Sequence, residues 1–218
     1  MAFNVRTTEI GTLELWGVAL ENAEEQPGIA AKMAELSYDS EKIAEGKSLL
    51  AQTMQVYMKN KTEDVETSEA SAKFKTDREL LEKTFRRHRR KARVVFRKDP
   101  VMLQRLAIDD DVPGAYAKLM ETVSVFYSEA GKPDVLDKLA RLGITGEDIS
   151  GGMELASSVS DDRNNYLREV GESEAATKTK DAAMATMQDW MTEFYAVARI
   201  ALEDQPQLLE ALGRPVKS

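Results

Sequence analysis

The chain has 218 residues, 30 Lys and Arg against 38 Asp and Glu, a formal net charge of -8, and 42% apolar residues, enough to bury a core unaided. It contains no cysteine, which excludes disulfides and thiolate metal ligation and suits a reducing compartment. The opening "MAFNVRTTEIGTLELWG" has no basic stretch leading into a long apolar core, and no later run nears the roughly 20 apolar residues of a spanning helix, so a soluble, cytoplasmic protein is expected.

Abundant Ala, Glu, Lys, Leu and Met, six prolines and the lack of period-two alternation predict an all-α fold. The first helix runs through "EIGTLELWGVALENAEE" and stops before Pro27. A short helix, Ile29 to Leu36, follows. Asp39 then supplies an N-cap for a long amphipathic run that carries Ile43, Leu50, Thr53 and Tyr57 on one face. A polar stretch at Val65 to Ser68 reads as a turn into a further long helix with Leu81, Phe85, His88, Ala92 and Val95 on its seam. Asp99-Pro100 pairs an N-cap with a proline at the first helical position, and opens a short closing helix, "VMLQRLA".

The same series returns at a period of 106. Without a gap, Lys32 overlies Lys138, Leu36 Leu142, Glu41 Glu147, Ile43 Ile149, Gly46 Gly152 and Leu49 Leu155. Pro27 overlies Pro133, Pro100 overlies Pro206, and Arg93 overlies Arg199. The first helix recurs as "YAKLMETVSVFYSEAG", the short one as Val135 to Leu142, and the cap as Thr145. The long run recurs with Ile149, Met153, Ala156, Val159 and Tyr166, and its continuation with Met187, Met191, Phe194, Ala198 and Ala201. Only "VETSEASAKFK" and "VGESEAATKTK" fit better at 105, which places a one-residue length change in the inferred turn.

The expected architecture is a tandem duplication of a helical-bundle repeat, 1–109 and 110–218, joined at "AIDDDVPGAY". Each copy would form a hairpin of two long helices covered by shorter ones, the halves related by a pseudo-twofold axis.

Chemistry-bearing motifs are sparse. The single histidine, His88, has Phe85 three residues before it, so the Glu-x-x-His of di-iron bundles is absent. Neither a nucleophile elbow nor a phosphate loop is present, and no cofactor or metal is expected. Glu63, Glu66, Glu169 and Glu172 lie beside the inferred turn and read as a solvated surface. Trp16, Trp190, Phe126, Tyr127, Phe194 and Tyr195 fall at helical spacing and read as core; a ligand pocket or enzyme site between the copies, lined by Trp16 and Trp190, is the alternative.

The sharp feature is "FRRHRRKARVVFRKD". Between Arg86 and Lys98 stand eight cations and no carboxylate: Arg86, Arg87, Arg89, Arg90, Lys91, Arg93, Arg97 and Lys98. The first copy has net charge +1 and the second -9, so the basic helix at 83–98 belongs to one copy alone. Helix-end dipole interactions of about 0.3–1 kcal/mol each do not offset mutual repulsion among so many cations, so outside anions are expected. They would come from the chain's own acids, such as 109–111, from a homodimer mate or partner protein with an acidic surface, or from phosphate. The predicted function is a non-enzymatic interaction or adaptor module that uses this helix, with Arg87, Arg90 and Arg93 foremost; nucleic-acid binding is the alternative. Arg93 carries less weight, because it is shared with Arg199 and a shared arginine more often has a structural role.

Overall fold

The computed structural model describes residues 8–215, so part of the N-terminal stretch read above lies outside the described residues. Among them the chain is all-helical and has no strand. The elements are α1 (Glu9–Glu25), α2 (Pro27–Ala34), α3 (Ser40–Val95), α4 (Pro100–Arg105), α5 (Tyr116–Ala130), α6 (Pro133–Ala140) and α7 (Gly146–Ala201), followed by a closing 3-10 helix, Pro206–Glu210. The starts at 27 and 133, 40 and 146, and 100 and 206 repeat the 106-residue spacing of the sequence. So do the residues with left-handed backbone, Ser37 with Gly143 and Ala107 with Gly213.

Local chemistry explains the boundaries. Asp39 accepts from the backbone N–H groups of Glu41 and Lys42 at 3.1 and 3.0 Å, and so caps α3. Thr145 and Asp148 cap α7 reciprocally, each side chain accepting from the other residue's backbone N–H, at 3.2 and 3.0 Å. Asp99 accepts from the Met102 N–H at 3.0 Å, and Pro100 occupies the first position of α4. The short helices α2 and α6 start two residues earlier than expected, at Pro27 and Pro133, because proline needs no N–H partner in a first turn.

One expectation fails. No turn interrupts the chain at 65–68: α3 and α7 are each a single helix of 56 residues, and the hairpin of two long helices within each copy does not form. Neither helix contains proline, and α3 has no glycine after Gly46, so polar Thr, Ser and Glu were the only break signal. Thr and Ser are poorer helix formers than the best residues by only a few tenths of a kcal/mol each, and Glu is among the better ones. Thr62 donates its hydroxyl back to the Met58 carbonyl at 3.3 Å, and Lys73 pairs with Asp77 at 2.9 Å one turn on, so the ladder continues. With equal lengths at an offset of 106, no one-residue change is needed either.

The chain divides into two compact units that cut across the sequence copies. The first combines the chain up to Asp64 with the chain from Glu172; the second is Val65–Gly171. In the first unit, Leu13, Trp16 and Leu20 of α1, Ile29 and Met33 of α2, and Ile43 of α3 pack with Met187, Met191, Phe194 and Ala198 of α7. In the second, Leu81, Phe85 and Ala92 of α3 pack with Leu119, Val123, Phe126 and Tyr127 of α5, Val135 and Leu139 of α6, and Ile149 and Val159 of α7. Each core therefore draws on the front of one sequence copy and the back of the other.

A shared device sets the helix spacing in both units. A β-carbon on Gly46 would lie 2.4 Å from the Trp190 ring, and one on Gly152 would lie 2.2 Å from the Tyr127 ring. The paired glycines each give an aromatic ring its seat on a helix backbone.

Candidate partner-binding surface

All eight cations of the basic block belong to the second unit. Their fates differ. Arg89 is 8% exposed and donates to the Ile108 carbonyl at 3.3 Å, so it is withdrawn from the contact set that the sequence suggested. Burial, then Arg93, hold its guanidinium below the usual value, while Asp111 and Asp109 act in the opposite direction. Arg93 donates to the Asp109 carbonyl at 2.8 Å. Lys91 donates to the Gly143 carbonyl at 3.0 Å. Arg86 lies 3.5 Å from Glu82, one turn back.

Three members of the block thus tie α3 to backbone carbonyls of the 106–111 and 141–145 connections. These acceptors were illegible in the sequence, since every residue carries a carbonyl and only tertiary approach selects one. Arg87, Arg90, Arg97 and Lys98 remain exposed. Of these, Arg90, Arg97 and Lys98 form no ion pair among the described residues. Beyond the end of α3, Lys98 lines a groove of about 400 Å³ together with Phe96, Asp99, Asp137, Lys138 and Arg141. Lys138 stands over the Phe96 ring at 5.9 Å.

His88 is the polar member of the buried seam, 2% exposed, in a T-shaped contact with Tyr127 at 5.9 Å. Its Nδ1 is 3.1 Å from the Tyr127 hydroxyl, and its Nε2 is 3.4 Å from the Arg87 guanidinium and 3.7 Å from Asp148. Arginine only donates, so contact with Arg87 selects the tautomer with its proton on Nδ1, donated to the tyrosine oxygen. Burial lowers the His88 pKa; Asp148 opposes this, and Arg87 and Lys91 reinforce it. The imidazole thus takes a packing position, where the residue 106 later is the aromatic Phe194.

The acids at the inferred turn divide. Glu66 and Glu172 are exposed as expected, whereas Glu169 is buried and accepts from Arg168 at 2.8 Å. Glu63 is half-buried, with one carboxylate oxygen enclosed and without a hydrogen-bond partner in the structure. A continuous helix, unlike a turn, gives these positions an inward face. Trp16 is core, and Trp190 seats on Gly46 and stacks on Phe194 at 5.7 Å, so both tryptophans serve packing in the first unit. Met153, placed by its spacing among inward residues, is 47% exposed.

The arrangement defines an all-helical protein with a divided basic block, part structural tie and part open surface. No family model, curated protein or solved structure matches the chain. Among the described residues no helix is long and apolar enough to cross a membrane.

Proposed function

We propose that the chain acts by binding another protein through the cations left exposed at the end of α3. The observation that carries this reading is the set Arg90, Arg97 and Lys98, exposed and without ion pairs among the described residues, of which Lys98 lines a groove that interleaves Lys138 and Arg141 with Asp99 and Asp137. A surface of mixed sign suits a protein partner, whose own charges alternate. A nucleic-acid backbone would bring phosphate against both carboxylates, and like charges at close quarters disfavour it. Only a polyanion partner would need the whole block free, and three of its cations are already committed to carbonyls.

Fluorescence anisotropy against a labelled peptide in which Glu alternates with Lys, and against a duplex DNA, tests the reading. Binding of the peptide in the micromolar range (about -8 kcal/mol) at low salt is expected, lost in Arg90→Glu with Arg97→Glu, while circular dichroism stays unchanged. Duplex binding about tenfold tighter than peptide binding, or no binding of either probe, refutes it.

A further inference from the structure

α3 and α7 have equal lengths and start 106 residues apart, so each residue of α3 has a counterpart at the same place in α7. Near their C-terminal ends the two helices carry matched rows of opposite sign. Lys83, Arg87, Arg90 and Val94 recur at steps of four and three along one face of α3, and Arg97 extends the row into the turn beyond. All five are exposed. Their counterparts are Asp189, Glu193, Ala196, Ile200 and Glu203, exposed except for the half-buried Ala196. The basic row belongs to the Val65–Gly171 unit, and the acidic row to the other.

Lys83, Arg87 and Arg97 thus stand where α7 has a carboxylate, and Arg90 stands where it has a small alanine. Among the charges both rows present a β-branched aliphatic side chain to water, Val94 at 51% and Ile200 at 62% exposure. Charged neighbours of the rows are already paired: Arg86 lies 3.5 Å from Glu82, and Asp204 lies 3.7 Å from Lys32. By contrast, Lys83, Arg90, Arg97, Asp189 and Glu203 form no ion pair among the described residues.

One alignment satisfies both rows. Parallel and in register, over about 20 Å of helix, Lys83 meets Asp189, Arg87 meets Glu193, Val94 meets Ile200 and Arg97 meets Glu203, while Ala196 leaves room for Arg90. Antiparallel, Val94 would stand against Glu193 and Ile200 against Arg87, and either row against its own kind sets like charges together. We infer that the basic row of α3 in one copy of the chain binds the acidic row of α7 in a second copy. Every copy carries one row of each sign and so holds both halves of the contact. The inference rests on the reading of the end of α3 as a protein-contact surface, and names its partner.

Three exposed ion pairs and one aliphatic pair make a small, salt-sensitive contact. Sedimentation equilibrium of the full chain at low ionic strength, at concentrations up to about 100 µM, tests it. Self-association is expected. Lys83→Glu with Arg97→Glu, and separately Asp189→Lys with Glu203→Arg, should each weaken it about tenfold or more while the helical circular dichroism signal is retained. An equimolar mixture of the two variants restores every pair and should recover the parent's association to within about threefold. Two reversals change the parent's net charge of -8 by four in either direction, so both variants stay negative and overall charge does not draw them together. A parent that is monomeric throughout the range, a variant that associates as well as the parent, or a mixture no better than its components overturns the inference. If the parent is monomeric but the Glu–Lys peptide still binds through Arg90 and Arg97, only the homotypic contact fails and the proposed function stands; loss of both defeats both.

Discussion

Gly151 and Gly152 are adjacent in α7, and substitution of each by alanine should have opposite effects. Gly151 is exposed, and a β-carbon there meets nothing within 4 Å. Gly151→Ala should therefore gain the ordinary helix-propensity difference of about 0.8–1 kcal/mol. At Gly152 the new methyl would stand 2.2 Å from Tyr127 Cζ and 2.6 Å from its hydroxyl oxygen. That is roughly 1.3 Å inside the ~3.5 Å at which carbon atoms reach optimal contact, so the ring must move. Tyr127 is fully buried, wedged against Phe126 at 5.1 Å and Phe85 at 6.5 Å, and its hydroxyl is held by His88. Overpacking of such a site costs about 1–3 kcal/mol, and the displaced hydrogen bond about 0.5–1.5 kcal/mol more. After the same propensity gain, Gly152→Ala should destabilise by about 0.5–3.5 kcal/mol. Urea unfolding of the two single variants beside the parent measures both, as shifts of the midpoint in opposite directions. If Gly152→Ala matches or exceeds Gly151→Ala in stability, the tyrosine is not seated on that backbone and the reasoning is wrong.

Two further outcomes follow from the same geometry. His88 has a folded-state pKa below its usual 6.5, so on acidification the unfolded chain takes up the proton first and stability falls as pH drops from about 7 through that value, by at most about 1.4 kcal/mol per pH unit. The groups facing it are Tyr127 from α5, Asp148 from α7, and Arg87 and Lys91 from α3; Asp148, itself lowered chiefly by its hydrogen bond from the Thr145 backbone, loses its contribution only at more acid pH. His88→Gln should flatten the stability profile between pH 7 and about 5, and a profile identical to the parent's would show that this imidazole is not the titrating group. Ala107 stands at φ 50°, in the place where Gly213 stands at φ 73°, and Ala107→Gly should stabilise by up to about 1 kcal/mol, relief of left-handed strain exceeding the entropy of the added glycine. A lower thermal midpoint for that variant would count against strain at this turn.

Several parts of the fold were legible because they depend on near neighbours. Asp39, Thr145 and Asp99 cap helices through N–H groups two or three residues away, and Pro27 and Pro133 open helices through their own ring geometry. The seam of Leu81, Phe85, His88 and Ala92 follows from helical period alone, and all four are buried. The turn at 65–68 misled because Ser, Thr and Glu clusters mark loops only statistically, whereas glycine and proline act on the backbone itself. Within the basic block, Arg89, Arg90 and Lys91 are indistinguishable by charge, yet one is buried on a carbonyl, one exposed, and one tied to another connection.

By itself the sequence determined the helical class, the caps and most of the inward faces, since these are written in residue type and spacing along a few turns. Tertiary structure alone decided which long segments share a core, and which cations meet carbonyls and which face water. Those outcomes depend on the approach of segments distant in sequence, where burial and unsatisfied carbonyls, rather than local propensity, fix the arrangement of lowest free energy.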